Sequence, residues 1–183
     1  MSVLPRKSSF KMALIGGGEI ENYAPLFDGL TQYALLPDID LSAGDTVSFE
    51  IISPIPSGLQ MLLSNTSAYK TVVRINVDGT LTTGGGDATI DGITGQPVTP
   101  GKRQRISFTA TNNVLINLVA AQSDGSGGFL RFVGCPIFNL RINDGSVWNF
   151  SMNDKNTDPV MVNSGSGADG SYINSTPAMW VKL

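Results

Sequence analysis

Apolar and polar residues alternate with a period of two in several separate segments, and this pattern constrains the fold more than any other feature. Val47, Phe49 and Ile51 alternate with Ser48 and Glu50. Successive side chains of a strand point to opposite faces of its sheet, so each such segment predicts a half-buried strand. The same alternation recurs at 71–77, 106–110, 138–142 and 148–152.

Turn signals separate these segments. Asp78-Gly79 is a strong hairpin signal, and Thr80-Leu81-Thr82 resumes a strand after it. Helical spacing is hard to find over any eleven-residue window. The run 114–121 is the best helical candidate, but it is only eight residues long and is bounded by turn residues, so a strand is favoured.

Many short strands joined by turns predict an all-β protein. We expect a two-sheet antiparallel β-sandwich with a jelly-roll-like topology. The predicted core includes Val47, Phe49, Ile51, Val73, Ile75, Phe108, Leu118, Phe138, Leu140, Ile142, Trp148 and Phe150.

The first 24 residues differ from the rest, because they lack alternation and are basic at the start. We interpret 1–24 as an N-terminal arm or leading irregular segment and 25–183 as the sandwich domain. Gly16-Gly17-Gly18 would serve as a hinge. The alternative is that 8–15 forms the first strand of the sandwich. As an arm, the segment would make assembly contacts through Val3, Leu4, Arg6, Lys7, Phe10, Lys11 and Met12.

Two further stretches are candidate contact surfaces. Residues 84–101 are rich in glycine and proline and predict a long irregular loop. The basic cluster Lys102-Arg103-Gln104-Arg105 follows and opens a strand. Its charges indicate either a strand end or protected edge, or a local contact with an anion.

The charge balance argues against several partners. The net charge is −3, and the sequence shows no basic face of the kind that a nucleic-acid binder needs. No run approaches the roughly 20 apolar residues of a membrane span. Met12–Ile15 is too short for a signal-peptide core, so we expect a protein that is made in the cytoplasm and kept there or carried in an assembly.

The sequence lacks the residues that several common catalytic mechanisms need. There is no histidine, which excludes Ser-His-Asp and Cys-His mechanisms and zinc sites built on imidazole. A glycosidase needs two facing carboxylates. The glutamates are Glu19, Glu21 and Glu50, and Glu50 has no acid at 48 or 52. The chain is therefore predicted not to be an enzyme and to need no cofactor.

Half of the twelve aspartates precede a glycine, as in Asp78-Gly79 and Asp144-Gly145, which favours a structural role for them in turns. Asp38 and Asp40 could share a strand face, but Pro37 favours an edge or turn there. The sole cysteine, Cys135, cannot form an intrachain disulfide and is expected to be buried and inert. No metal site is predicted, although calcium stays open as an alternative at Asn153, Asp154, Asn156 and Asp158.

Two stretches resemble a known fold family. The segment 27–37, FDGLTQYALLP, is similar to the opening strand of concanavalin A-like, laminin-G-type sandwiches. The segment from Trp148 to Trp180, with WNFSMN and VNSGSGADGSYIN, resembles the closing segment of such domains in virion proteins of tailed bacteriophages. The resemblance implies a fold and a setting, and it carries over no catalytic residue.

Three functions follow as hypotheses. The first is a virion structural or adhesion protein of a tailed bacteriophage, such as a head-decoration, head-fibre or tail-fibre subunit. It would contact other virion proteins and copies of itself. The second is a lectin-like module that binds a host surface glycan through loops at one end of the sandwich. The third, a polysaccharide depolymerase, is disfavoured because the carboxylate pair is missing.

Overall fold

A computed structural model describes residues 23–67, 69–152 and 159–183. Its strands pair antiparallel throughout, and the described residues contain no α-helix. They form a seven-stranded and a six-stranded sheet and two short pairs. The prediction of an all-β, two-sheet antiparallel sandwich is confirmed.

The seven-stranded sheet has the order β15-β16-β2-β10-β4-β5-β6. Its strands are β2 (Tyr33–Leu41), β4 (Gln60–Ser64), β5 (Val73–Ile75), β6 (Leu81–Thr83), β10 (Val114–Val119), β15 (Val160–Met161) and β16 (Gly170–Ile173).

The six-stranded sheet has the order β14-β13-β3-β9-β7-β8. Its strands are β3 (Thr46–Ile52), β7 (Gly86–Ile90), β8 (Ile93–Thr94), β9 (Arg103–Ala110), β13 (Ile137–Ile142) and β14 (Asn149–Phe150).

Two short pairs complete the fold. One joins β1 (Tyr23–Pro25) to β17 (Trp180–Lys182), which follows a 3-10 helix at Pro177–Met179. Ala24 in β1 is fully buried, so the boundary predicted after residue 24 falls inside a strand. The other pair joins β11 (Gln122–Ser123) to β12 (Phe129–Leu130).

The core consists of the alternating apolar residues of both sheets, as predicted. Every residue of the predicted core is buried except Trp148, which is half-buried and packs against the core from its rim. Gly167 lies against the Trp148 ring and would clash with it if it carried a Cβ. The alternation over 71–77 also predicts that Val77 faces the core with Val73 and Ile75. However, β5 ends at Ile75 and Val77 is exposed.

The prediction of an irregular loop over 84–101 was wrong for its first half. Gly86–Ile90 forms β7 along the length of β9, and β8 turns back on it through Asp91-Gly92. Glycine has a low propensity for strands. Gly86 is needed here because its backbone passes so close to Phe108 that a Cβ would clash with the ring. Tertiary packing thus overrides the local signal.

The alternation predicted for 138–142 is confirmed by burial, since Phe138, Leu140 and Ile142 are buried and Asn139 and Arg141 are not, but the strand is irregular. Asn139 has φ of 55°, and the register between β13 and β3 shifts between Phe138 and Arg141. This bulge places Phe138 opposite Glu50 in the register, and Phe138, Leu140 and Ile142 all belong to the core. Phe138 is buried in part under the guanidinium of Arg103.

Candidate binding surface

Asp28 organises a tight loop at one end of the sandwich. Its Oδ1 accepts hydrogen bonds from the backbone N–H groups of Leu30, Thr31 and Gln32, at 2.8, 2.8 and 2.9 Å. The resemblance implied that a strand opens at Phe27, but β2 begins at Tyr33, after this loop. A short acidic side chain that bonds its own backbone stabilises such turns.

The loop separates two open cavities. The first has a volume of about 550 Å³ and lies between the loop and the 3-10 helix, with Gln32 in its wall. The second has a volume of about 460 Å³ and lies against residues 54–60, with Gln60 in its wall. Asp28 and Gly134 line both cavities, so the two are neighbours. We refer to them as the end grooves.

Each end groove has in its wall a glutamine whose buried amide carbonyl lacks a donor. Gln32 is 6% exposed and Gln60 is 9% exposed, and the Oε1 atom of each has no hydrogen-bond partner among the described residues. The Nε2 of Gln32 donates to the carbonyl of Asn174 and lies near the hydroxyl of Thr176, which sets the orientation of the amide. An unsatisfied buried acceptor costs about 1–3 kcal/mol, so a donor from a ligand or water would be stabilising here.

Apolar groups flank the same grooves. The ring of Phe132 lines the second groove and lies 6.3 Å from the ring of Tyr33. Ile55 and Leu30 are among the most exposed aliphatic side chains of the described residues. A concave surface with an aromatic wall and a few fixed polar groups is typical of a small-molecule site. No sequence signal pointed to this surface, because neither Gln32 nor Gln60 stands in a ligand-binding motif.

Glu50, the isolated glutamate of the sequence, has partners from other strands. Its Oε2 accepts a hydrogen bond of 2.5 Å from Nε of Arg103, and its Oε1 accepts one of 2.8 Å from Nδ2 of Asn139. The hydrogen bond from Arg103 is the main reason why the pKa of Glu50 lies below its usual value. The carboxylate is therefore held ionised in a structural arrangement.

The basic cluster 102–105 stands at the beginning of β9, so the predicted strand end is confirmed, whereas the predicted edge is wrong because β9 lies between β3 and β7. Lys102 pairs with Asp91 at 3.7 Å, and Arg103 pairs with Glu50. Arg105 makes no ion pair within the described residues and faces a small cavity together with Arg141.

Three of the aspartates predicted to serve turns do so, whereas Asp91 accepts from the backbone of Arg105 and Asp169 accepts from the backbone of Asn163. The carboxylates of Asp78, Asp124 and Asp144 each accept a backbone N–H two residues further on, and these bonds contribute to lowering their pKa values. Asp38 and Asp40 lie on the exposed side of β2, where Asp38 accepts a hydrogen bond of 2.7 Å from Asn117. The edge or turn expected from Pro37 is thus an interior strand whose register with β10 shifts beside Pro37.

Cys135 is buried, and its burial raises the pKa of the thiol, as expected for an inert cysteine. The predicted assembly residues of the arm and the calcium alternative at 153–158 lie outside the described residues. Across 23–67, 69–152 and 159–183, no helix is long and apolar enough to cross a membrane, and no cluster of three or more acidic or cysteine side chains could hold a metal ion.

No protein-family model, curated protein or solved structure matches the chain. Two surfaces of the chain are candidates for a functional role. These are the end grooves, which offer hydrogen-bond acceptors beside apolar walls, and the arginine-bearing outer face of the six-stranded sheet.

Proposed function

We propose that the protein is a non-enzymatic virion structural or adhesion protein of a tailed bacteriophage, which acts by assembly with other virion proteins and with copies of itself. The proposal that the protein is not an enzyme is supported by the hydrogen bonds that hold its carboxylates. Glu50 is held by Arg103 and Asn139, and Asp28 is held by the backbone of its own loop. Carboxylates held in this way are poorly suited to general acid or base work.

The virion setting is drawn from the resemblance of 27–37 and of the segment from Trp148 to Trp180. An apolar edge adds support for assembly. Val160 lies on β15, the outermost strand of its sheet, and Val162 follows it; both are exposed, as is Val147 nearby. An exposed apolar edge strand favours association with another chain.

The setting is tested by imaging purified particles from the virus or host that encodes the chain, with an affinity label on its C-terminus. The proposal expects label in many symmetry-related copies on a head or tail. Label that stays in the particle-free supernatant would overturn it.

The role of the arm is tested by deleting residues 1–18 and measuring both thermal unfolding and oligomeric state by light scattering. We expect the truncated chain to keep a cooperative melting transition and to lose assembly. Loss of the melting transition would instead place 8–15 within the sandwich, and retained assembly would remove the proposed role of Val3 to Met12.

A lectin-like function is the second candidate, and the end grooves favour it. Sugar hydroxyls are donors that could satisfy the Oε1 atoms of Gln32 and Gln60, while the apolar face of a sugar ring can pack on Phe132. This would be binding of a host surface glycan through the loops at one end of the sandwich.

Gln60→Met separates a ligand site from a packing feature. The variant removes the unpartnered carbonyl and keeps the volume, so we expect unchanged or higher stability together with loss of glycan-array signal. Gln104→Met is the matched control, because the Oε1 of Gln104 already accepts bonds from Ser53 and Thr99. The control should lose stability and keep glycan binding while folded. Absence of any glycan signal in the wild-type protein would contradict this candidate.

A further inference from the structure

Strand β3 brings two arginines from its neighbours to the same outer face. Ser48 lies opposite Arg141 of β13, and Glu50 lies opposite Arg105 of β9. These residues alternate with Val47, Phe49 and Ile51, which are buried in the core. The two arginines therefore flank β3 from opposite sides. This placement follows from backbone register and does not depend on one side-chain rotamer.

The neighbouring acids are already paired. Glu50 accepts from Arg103 and Asn139, and Asp91 lies 3.7 Å from the ammonium of Lys102. Arg105 and Arg141 have no ion pair within the described part of the chain. Two cations that make no ion pair thus face the same cavity, and the charge of Arg105 also interacts with Glu50.

The side-chain bonds of both arginines use few of their donors. Nη2 of Arg105 donates to Oγ of Ser48 at 3.2 Å, and Nε of Arg141 donates to Oδ1 of Asn149 at 3.1 Å. A guanidinium carries five N–H donors. Both terminal nitrogens of Arg141 therefore remain as a fork, and the hydroxyl of Ser48, which accepts from Arg105, can still donate its own proton.

A small cavity of about 170 Å³ lies between these groups, with Ser48, Glu50, Arg105, Asn139 and Arg141 in its wall. Asn139 has φ of 55° at the bulge of β13, and its amide binds Oε1 of Glu50. A bulge that re-aims a side chain is common beside functional sites, and a positive φ in a residue other than glycine costs free energy. Here it fixes the one carboxylate that could compete for the arginines.

We propose that Arg105, Arg141 and Ser48 form a binding site for the oxyanion group of a small acidic ligand. A carboxylate, a sulfate and a phosphate share the required chemistry, which is a set of oxygens that accept from forked guanidinium donors. The size of the cavity suits a single such group. The site is distinct from the end grooves and does not depend on the virion or lectin proposal.

The test is titration of the full chain with sodium acetate, sulfate or phosphate at constant ionic strength, with sodium chloride as the reference. The side-chain Nε–H signals of the arginines are followed by NMR. We expect saturable shifts for Arg105 and Arg141 with at least one oxyanion and none with chloride. Comparison of acetate with the two tetrahedral anions distinguishes a carboxylate ligand from a sulfate or phosphate ligand.

Substitution then assigns the site. Arg141→Gln and Arg105→Gln should each weaken binding by about tenfold or more, since charge-assisted hydrogen bonds contribute about 1.5–3 kcal/mol each. Arg74→Gln is the control, because Arg74 lies in the other sheet and bonds Asn76. Shifts that are linear with concentration, that chloride reproduces, or that Arg74→Gln reduces equally would show only adventitious ion binding and overturn the proposal.

Discussion

The backbone of Gly86 on β7 lies against the ring of Phe108 on β9. A Cβ at position 86 would lie 2.5 Å from Cε2 of Phe108 and 2.2 Å from the carbonyl oxygen of Thr109. Gly86→Ala should therefore destabilise the protein by about 1–3 kcal/mol, the usual cost of overpacking a core. Urea unfolding would measure this as a lower midpoint.

Gly58→Ala is the matched control for that substitution. No atom lies within 4 Å of a Cβ built at Gly58, so this variant should unfold within about 0.5 kcal/mol of the wild type, as is usual for surface positions. Equal midpoints for the two variants would show that the approach of β7 to Phe108 is looser than described.

Glu50→Gln should show a stability loss that depends on pH. The pKa of Glu50 is lowered in the folded protein, chiefly by the hydrogen bond from Arg103. A lowered pKa contributes stability that is present above the unfolded-state pKa and is lost as pH falls through the folded-state pKa. The wild type should exceed the variant by about 0.5–1 kcal/mol at pH 7, because Arg103 is largely exposed.

This advantage should begin to decline near the ordinary glutamate pKa of 4.5 and disappear at more acidic pH. Urea midpoints of both proteins at several pH values check it. A difference that stays constant from pH 7 to pH 3 would assign the effect to packing. No loss of a binding function is expected from Glu50→Gln at neutral pH.

Asp28 should titrate at unusually low pH. Desolvation acts to raise its pKa, but the hydrogen bonds from the backbone of Thr31, Gln32 and Leu30 outweigh it and lower the pKa to about 2. NMR observation of the Asp28 carboxyl carbon during acid titration measures the midpoint. A midpoint near the ordinary value of about 3.9 would mean that the loop between the end grooves is not held by this carboxylate.

Cys135 should not react with a thiol reagent while the protein is folded. Its side chain is buried, and its pKa is raised by that burial, so little thiolate forms at pH 8. Absorbance with Ellman's reagent should stay near baseline in buffer and reach one thiol per chain in guanidinium chloride. A rapid reaction in buffer would show that the region around Pro136 opens readily.

Local patterns in the sequence predicted most of the strands. Val47, Phe49 and Ile51 could be assigned to one buried face because period-two alternation depends only on neighbouring residues. The hairpin at Asp78-Gly79 was equally predictable, since Gly79 with φ of 83° supplies the conformation that the turn needs. Short strands that contain glycine, such as β7, were not predicted, because their stability comes from pairing with the neighbouring strand.

The functional surfaces were harder to predict. Glu50 stands out in the sequence as an isolated acid. Its hydrogen-bond partners Arg103 and Asn139 could not be predicted, because they lie 53 and 89 positions away along the chain. Gln32 and Gln60 carry no motif, and only the packing of their loops shows that their carbonyls are buried without donors.

The sequence by itself determined the strand character, the turn roles of the aspartates and the absence of histidine chemistry, because each depends on residue type and local spacing. The tertiary structure alone decided which strands pair and where their register shifts. The reason is physical: a single bulge, as at Asn139, shifts the register between β13 and β3 without leaving a local signature. The same bulge carries Asn139, whose amide donates to Glu50.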